Sequence, residues 1–231
     1  NGNVGVGTTT PDTQLELSKD AADAEVTISC YNDAEATTPK LTMRKAEGTE
    51  ASHATAVDDN AVLGTISFQG FDGSNFEEGA RIEARVLGEV ATGGDTTDLP
   101  AELTFWTTPN ASATEVQRMT ILNDGNVGIG STSPSTLLHL QDTTADDGPM
   151  IRLHGSGQHT IDYLLGGIEI HNADTSGDGP TNVCNIKGFS SLSNGAGGYL
   201  TFGTHDGEEG GEGSEPVERL RITSTGNVIA G

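Results

Sequence analysis

Large side chains are scarce in this chain: one Trp, three Tyr and six Phe in 231 residues, with 33% of all residues apolar. One big hydrophobic core is excluded by that shortage. The longest apolar runs are three residues, as in AVL at 61–63. That excludes membrane insertion by a helix, which needs about 20 consecutive apolar residues, and a secretory signal with its own apolar stretch. Cations are few as well: 11 Lys and Arg stand against 34 Asp and Glu, a formal charge of -23. Nucleic acid is excluded as a partner, because Lys and Arg must displace the counterions of a phosphate backbone. The acid reads as a solvated surface that favours solubility and works against compaction. Two cysteines, Cys30 and Cys184, are too few for a disulfide framework and have no metal-ligand spacing. The histidines His53, His139, His154, His159, His171 and His205 form neither HExxH nor HxH, and no Ser sits in GxSxG. The chain is read as no enzyme.

What it has is glycine and repetition. Residues 1–7 read NGNVGVG, residues 123–130 read NDGNVGIG, and residues 225–231 read TGNVIAG. NVGVGTTTPDTQLELS at 3–18 aligns with NVGIGSTSPSTLLHLQ at 126–141, a shift of 123 residues that brings Pro11 onto Pro134. LGTISF (63–68) then matches LGGIEI (165–170), AELTFWT (101–107) matches GYLTFGT (198–204), and EVQRMTILNDGNVGIG (115–130) matches PVERLRITSTGNVIAG (216–231). Several anchors in the same order define tandem units. Residues 1–125 form a first module, 126–226 a second, shorter one, and 227–231 the opening of a third.

Between these phrases the period is two. Ala80, Ile82, Ala84 and Val86 alternate with Arg81, Glu83 and Arg85, the pattern of a half-buried strand. QLELS, VTIS, KLTMR, GTISF, ARIEARV, ELTFW and RMTIL are the expected strands of the first module, and no three-turn amphipathic helix appears. Asp124, Gly125 and Asn126, with Gly226 and Asn227 at the later copy, suit a tight turn that tolerates positive φ. Gly128 and Gly130 leave one strand face bare, open to close approach by other backbone. Modules so poor in large side chains need bracing by neighbours or by other chains.

These phrases resemble the repeated modules of bacteriophage tail fibres, in which a GNVGIGTTSP-type phrase opens each unit and an ERMRI-type phrase closes it. The likeness continues through PKLTMRKAEGT (39–49), VLGTISFQGFDG (62–73), GARIEAR (79–85) and LPAELTFWTTP (99–109); the second module lacks the PKLTMRKAEGT segment. The resemblance implies all-β modules of small sheets or sandwich-like form, in an elongated, parallel homotrimer on the virion. Its partners would be other fibre modules or virion tail proteins, and its role attachment to the host surface. The chain opens without Met and closes inside the phrase, which reads as an internal stretch of a longer polypeptide.

Three places invite a sharper role. Asn172, Asp174, Ser176 and Asp178 set oxygen ligands at alternate positions before Gly179, as a flexible calcium loop would, and HDGEEGGEGSE (205–215) is a second acidic loop. Trp106 follows Phe105 in a strand where Leu103 and Phe105 should face the core, so its ring should point outward, against a sugar or another chain. Two functions remain in view: a shaft that spaces a distant tip, or loops that bind host-surface glycans themselves, with avidity from linked copies. A non-viral surface adhesin of similar modules is a third.

Overall fold

A computed structural model describes residues 2–20, 22–31, 37–49, 52–90, 98–142, 148–154, 161–172, 181–192, 197–205 and 216–231. The described residues form fifteen strands and no helix, so the fold is all-β. They fall into two compact units, Asn1–Pro149 and Met150–Gly231.

In the first unit, β1 (Val4–Val6) pairs in parallel with β2 (Leu15–Leu17), and β3 (Glu47–Thr49) forms a small hairpin with β4 (Ser52–Thr55). The principal sheet is a meander of β5 (Val62–Phe71), β6 (Phe76–Val86), β7 (Ala101–Thr107), β8 (Val116–Ile121) and β9 (Val127–Ile129), each antiparallel to the last. Strand β10 (Leu138–Leu140) adds to β9 in parallel and closes the order β10-β9-β8-β7-β6-β5. The second unit is a meander of β11 (Leu164–Asn172), β12 (Thr181–Ser190), β13 (Gly198–Thr204), β14 (Val217–Ile222) and β15 (Val228–Ala230).

The irregularities recur too. The ladder between β5 and β6 slips between Val62 and Gly64, and that between β11 and β12 slips between Leu164 and Gly166. A second slip falls between Phe105 and Trp106 in one unit and between Phe202 and Gly203 in the other. Bulges re-aim a strand locally, and here they fall at matched residues of the two sheets.

Two details depart from the sequence expectation. VTIS at 26–29 and KLTMR at 40–44 belong to no ladder. Side-chain packing holds the second of them: a Cβ added to Gly64 would stand 2.7 Å from the Met43 sulfur. The compact division also falls at Pro149, whereas the repeat resumes at residue 126, because β9 and β10 hydrogen-bond into the first unit's sheet.

Candidate functional site

Between the parallel strands β1 and β2, and again between β9 and β10, the chain folds into a short arch. In the first, the Val4 amide donates to the Gln14 carbonyl (2.8 Å) and the Ser18 amide to the Val6 carbonyl (2.9 Å). In the second, the Val127 amide donates to Leu137 (3.0 Å) and the Gln141 amide to Ile129 (2.9 Å). Each of these donors and acceptors is displaced by the same 123 residues. Side chains repeat the match: Asn3 Nδ2 donates to the Pro11 carbonyl and Asn126 Nδ2 to that of Pro134, while the Thr13 and Thr136 hydroxyls donate to Leu15 and Leu138.

Glycine is required where the arch folds over its own strand. A Cβ on Gly5 would stand 2.5 Å from the Thr8 carbonyl oxygen, and one on Gly128 would lie closer still to that of Ser131. Gly7 and Gly130 have φ of 83° and 74°, and a Cβ on either would strike the carbonyl of Ser18 or Gln141. The close approach expected at Gly128 and Gly130 is therefore made by the chain's own backbone. At the third copy Ile229 occupies the place of Gly5 and Gly128.

The turns feeding β9 and β15 also match. Asp124, Gly125 and Asn126 lie in a loop where the Leu122 amide donates to the Asn126 carbonyl (2.9 Å) and the Gly125 amide to that of Leu122 (3.0 Å). Gly226 and Asn227 lie in the corresponding loop, closed by the Thr223 amide on Asn227 and the Gly226 amide on Thr223, both 2.9 Å. Gly125 and Gly226 take φ of 88° and 82°, the left-handed position of a three-residue hairpin loop.

Each meander has two unlike faces. Strand register places Ile66, Ile82, Phe105, Met119 and Ile129 in one row across the first sheet, and Ile168, Ile186, Phe202 and Leu220 in one row across the second. The opposite face of the first sheet carries Arg81, Glu83, Arg85, Glu102, Thr104, Trp106 and Thr120. Burial runs against simple expectation: Glu102 (4%), Thr104 (0%) and Thr120 (0%) are covered, whereas Ile66 (44%) and Leu103 (37%) are exposed. Val57 and Val86 are the only buried hydrophobic side chains among the described residues.

Most charges on the polar face are paired, although Arg81 Nε is buried with no hydrogen-bond partner among the described residues. Glu102 receives Arg85 Nε at 2.9 Å and the Thr120 hydroxyl at 3.2 Å. Arg81 reaches Glu115 (2.6 Å), Glu78 (3.2 Å) and Glu83 (3.3 Å), and its guanidinium lies 4.2 Å above the Trp106 ring centre. Trp106 is half-buried there and donates its indole N–H to Thr104 Oγ1 at 2.8 Å. Strand register puts Trp106 on the face opposite Leu103 and Phe105, although Leu103 is the more exposed side chain. In the second unit Arg221 sits 4.3 Å above Tyr199, whose hydroxyl donates to Asp162 at 2.7 Å. Burial foremost, then Asp162, pushes that phenol up to about 12.

Glu78 accepts the Ser67 hydroxyl, and this bond first, with the Arg81 bond behind it, holds its carboxyl below the ordinary 4.5 although desolvation opposes them. Asp72 is likewise lowered by the backbone amides of Asn75 and Ser74. A carboxylate depressed in the folded state stabilises fully above its unfolded pKa and stops doing so as pH falls through the folded one. Thermal melts should therefore lose ground on acidification below the ordinary 4.5, and Ser67→Ala should flatten that loss.

Of the calcium positions, Asn172 ends β11, and Asp174, Ser176 and Asp178 lie outside the described residues, as do 206–215 of the second acidic loop. Among the described residues no three metal-ligating side chains cluster. Sequence reasoning missed one element. Pro149 to Leu153 does for Gly166 what Pro39 to Met43 does for Gly64: a Cβ on Gly166 would stand 3.0 Å from the Leu153 Cβ. The shared signal is a Pro four residues ahead of a long apolar side chain, hidden by the shorter connection that follows it.

No family model matches the chain, and no curated protein matches it. Solved structures of a phage fibre are similar to it. The carboxy-terminal domain of the bacteriophage T5 L-shaped tail fibre shares 12% identity at a TM-score of 0.42, over 89% of this chain and 90% of that one. The same domain with its intramolecular chaperone domain shares 9% at 0.43, over 90% of this chain and 62% of that one. The chain thus spans less than two thirds of the longer structure. No residue role is carried over from either.

Proposed function

We propose that this chain is a structural segment of a bacteriophage tail fibre, built of tandem modules in a homotrimeric shaft on the virion. The observation that carries the reading is the pair of arches, matched bond for bond at an offset of 123 residues. A repeated hydrogen-bonded seam is a device for extending a chain by units, each bracing its neighbour. The phrases that form the arches are the ones that resemble fibre modules. Other fibre modules and virion tail proteins are then its partners, and its place is outside the host cell.

Sedimentation equilibrium should give three times 23.8 kDa. A single-chain mass at micromolar concentration would remove the trimer. Antibodies against the segment should decorate virion tails in electron micrographs, and labelling of an uninfected cell surface instead would favour an adhesin. On a glycan array the segment alone should stay dark if it is a spacer. Bound glycan would move recognition onto these modules, with Trp106 and the loops beside it as the first residues to vary.

A further inference from the structure

We infer that the apolar face of each meander is the surface on which sister copies of this chain pack, leaving the arginine–carboxylate face outside the contact. This rests on the fibre reading and assigns residues to it.

The first face centres on an apolar groove of about 480 Å³ lined by Leu41, Met43, Gly64, Ile66, Ile82 and Leu103, with no charged side chain in its walls. Phe68 (54%) extends it along β5. The second face offers Ile168 (56%), Ile170 (57%) and Ile186 (40%) in the corresponding strands. Side chains left about half in water forgo much of the favourable free energy of burial, and a soluble single chain seldom leaves large contiguous apolar patches uncovered. Something apolar covers them.

The choice of occupant follows from repetition. Both units present an isoleucine row in the same register, followed by Phe105 or Phe202 and then Met119 or Leu220. A foreign partner would need two separately evolved matching surfaces, whereas a copy of this chain carries both by construction, and closed symmetry lets each copy cover and be covered. Charge agrees. The chain's -23 would oppose self-association through a charged face, but the pleat sends Arg81, Glu83, Arg85 and Glu102 to the other side of the sheet.

Cross-linking tests the assignment. In a chain with Cys30→Ser and Cys184→Ser, single cysteines are placed on the apolar faces (Leu103→Cys, Ile186→Cys) and on the opposite face (Thr65→Cys), then treated with a short bismaleimide. The apolar-face cysteines should yield chain-to-chain adducts and Thr65→Cys should not. Adducts through Thr65→Cys alone, in a chain that sediments as an oligomer, overturn the face while leaving the fibre reading intact. A single-chain mass for the wild type overturns both the face and the trimer. Ile66→Asp adds an equilibrium measure. Because Ile66 is already solvated in one chain, the variant should fold, yet its association should weaken at least ~100-fold from burying an unpaired carboxylate. Unchanged association would overturn the assignment of the first face.

Discussion

Gly130→Ala is expected to cost about 3 kcal/mol or more of unfolding free energy, while Gly125→Ala, five residues earlier, costs about 1 kcal/mol. Both glycines sit in the left-handed region, at φ of 74° and 88°, so both substitutions carry the backbone term. They differ in surroundings. No heavy atom lies within 4 Å of a Cβ built on Gly125, whereas one on Gly130 would overlap the carbonyl of Gln141, whose amide closes the arch. Hydrogen exchange should localise the damage: the Gln141 amide, bonded to Ile129, should lose protection in Gly130→Ala and keep it in Gly125→Ala. Equal losses in the two variants would mean that the arch yields without penalty. Gly128→Val should behave like Gly130→Ala without a positive φ, through collision with the Ser131 carbonyl and crowding of the Thr120 methyl.

The second large effect lies on the polar face. Glu102 is 4% exposed and depends on Arg85, itself 31% exposed, together with the Thr120 hydroxyl. Arg85→Met removes the cation and leaves a buried carboxylate with one neutral donor, which should cost about 3 kcal/mol. Changing Glu102→Met as well should recover most of that loss, since two apolar groups of similar volume replace the pair. Urea denaturation of the two single variants and the double variant closes the cycle. Additive losses would show that Arg85 acts by packing its aliphatic stem, not by compensating the carboxylate.

These effects were legible to different degrees in the residue order. That Asp124, Gly125 and Asn126 make a turn could be read directly, because few residues accept positive φ. That Gly128 must be glycine could also be expected, but the carbonyl that excludes a side chain there belongs to Ser131 of the same chain, and only the fold reveals it. The straps at Met43 and Leu153 read as one strand and as nothing at all. Neither joins a ladder, and their contact with Gly64 and Gly166 leaves no periodic trace. The Arg85–Glu102 pair was hidden in an ordinary alternation, since adjacency across β6 and β7 depends on register.

Sequence alone determined that this is an all-β chain with a repeated phrase, because turn chemistry and a two-residue period are local properties of the backbone. It also determined that a strand such as residues 80–86 has an apolar and a charged side. Which side would be covered was decided only by the tertiary structure. The arch folds over Gly128 and Thr120, pairing buries Glu102, and Ile66 and Leu103 are left on the open side. Alternation divides a sheet into two faces, but burial depends on what lies against each face, and that is set by residues far away along the chain.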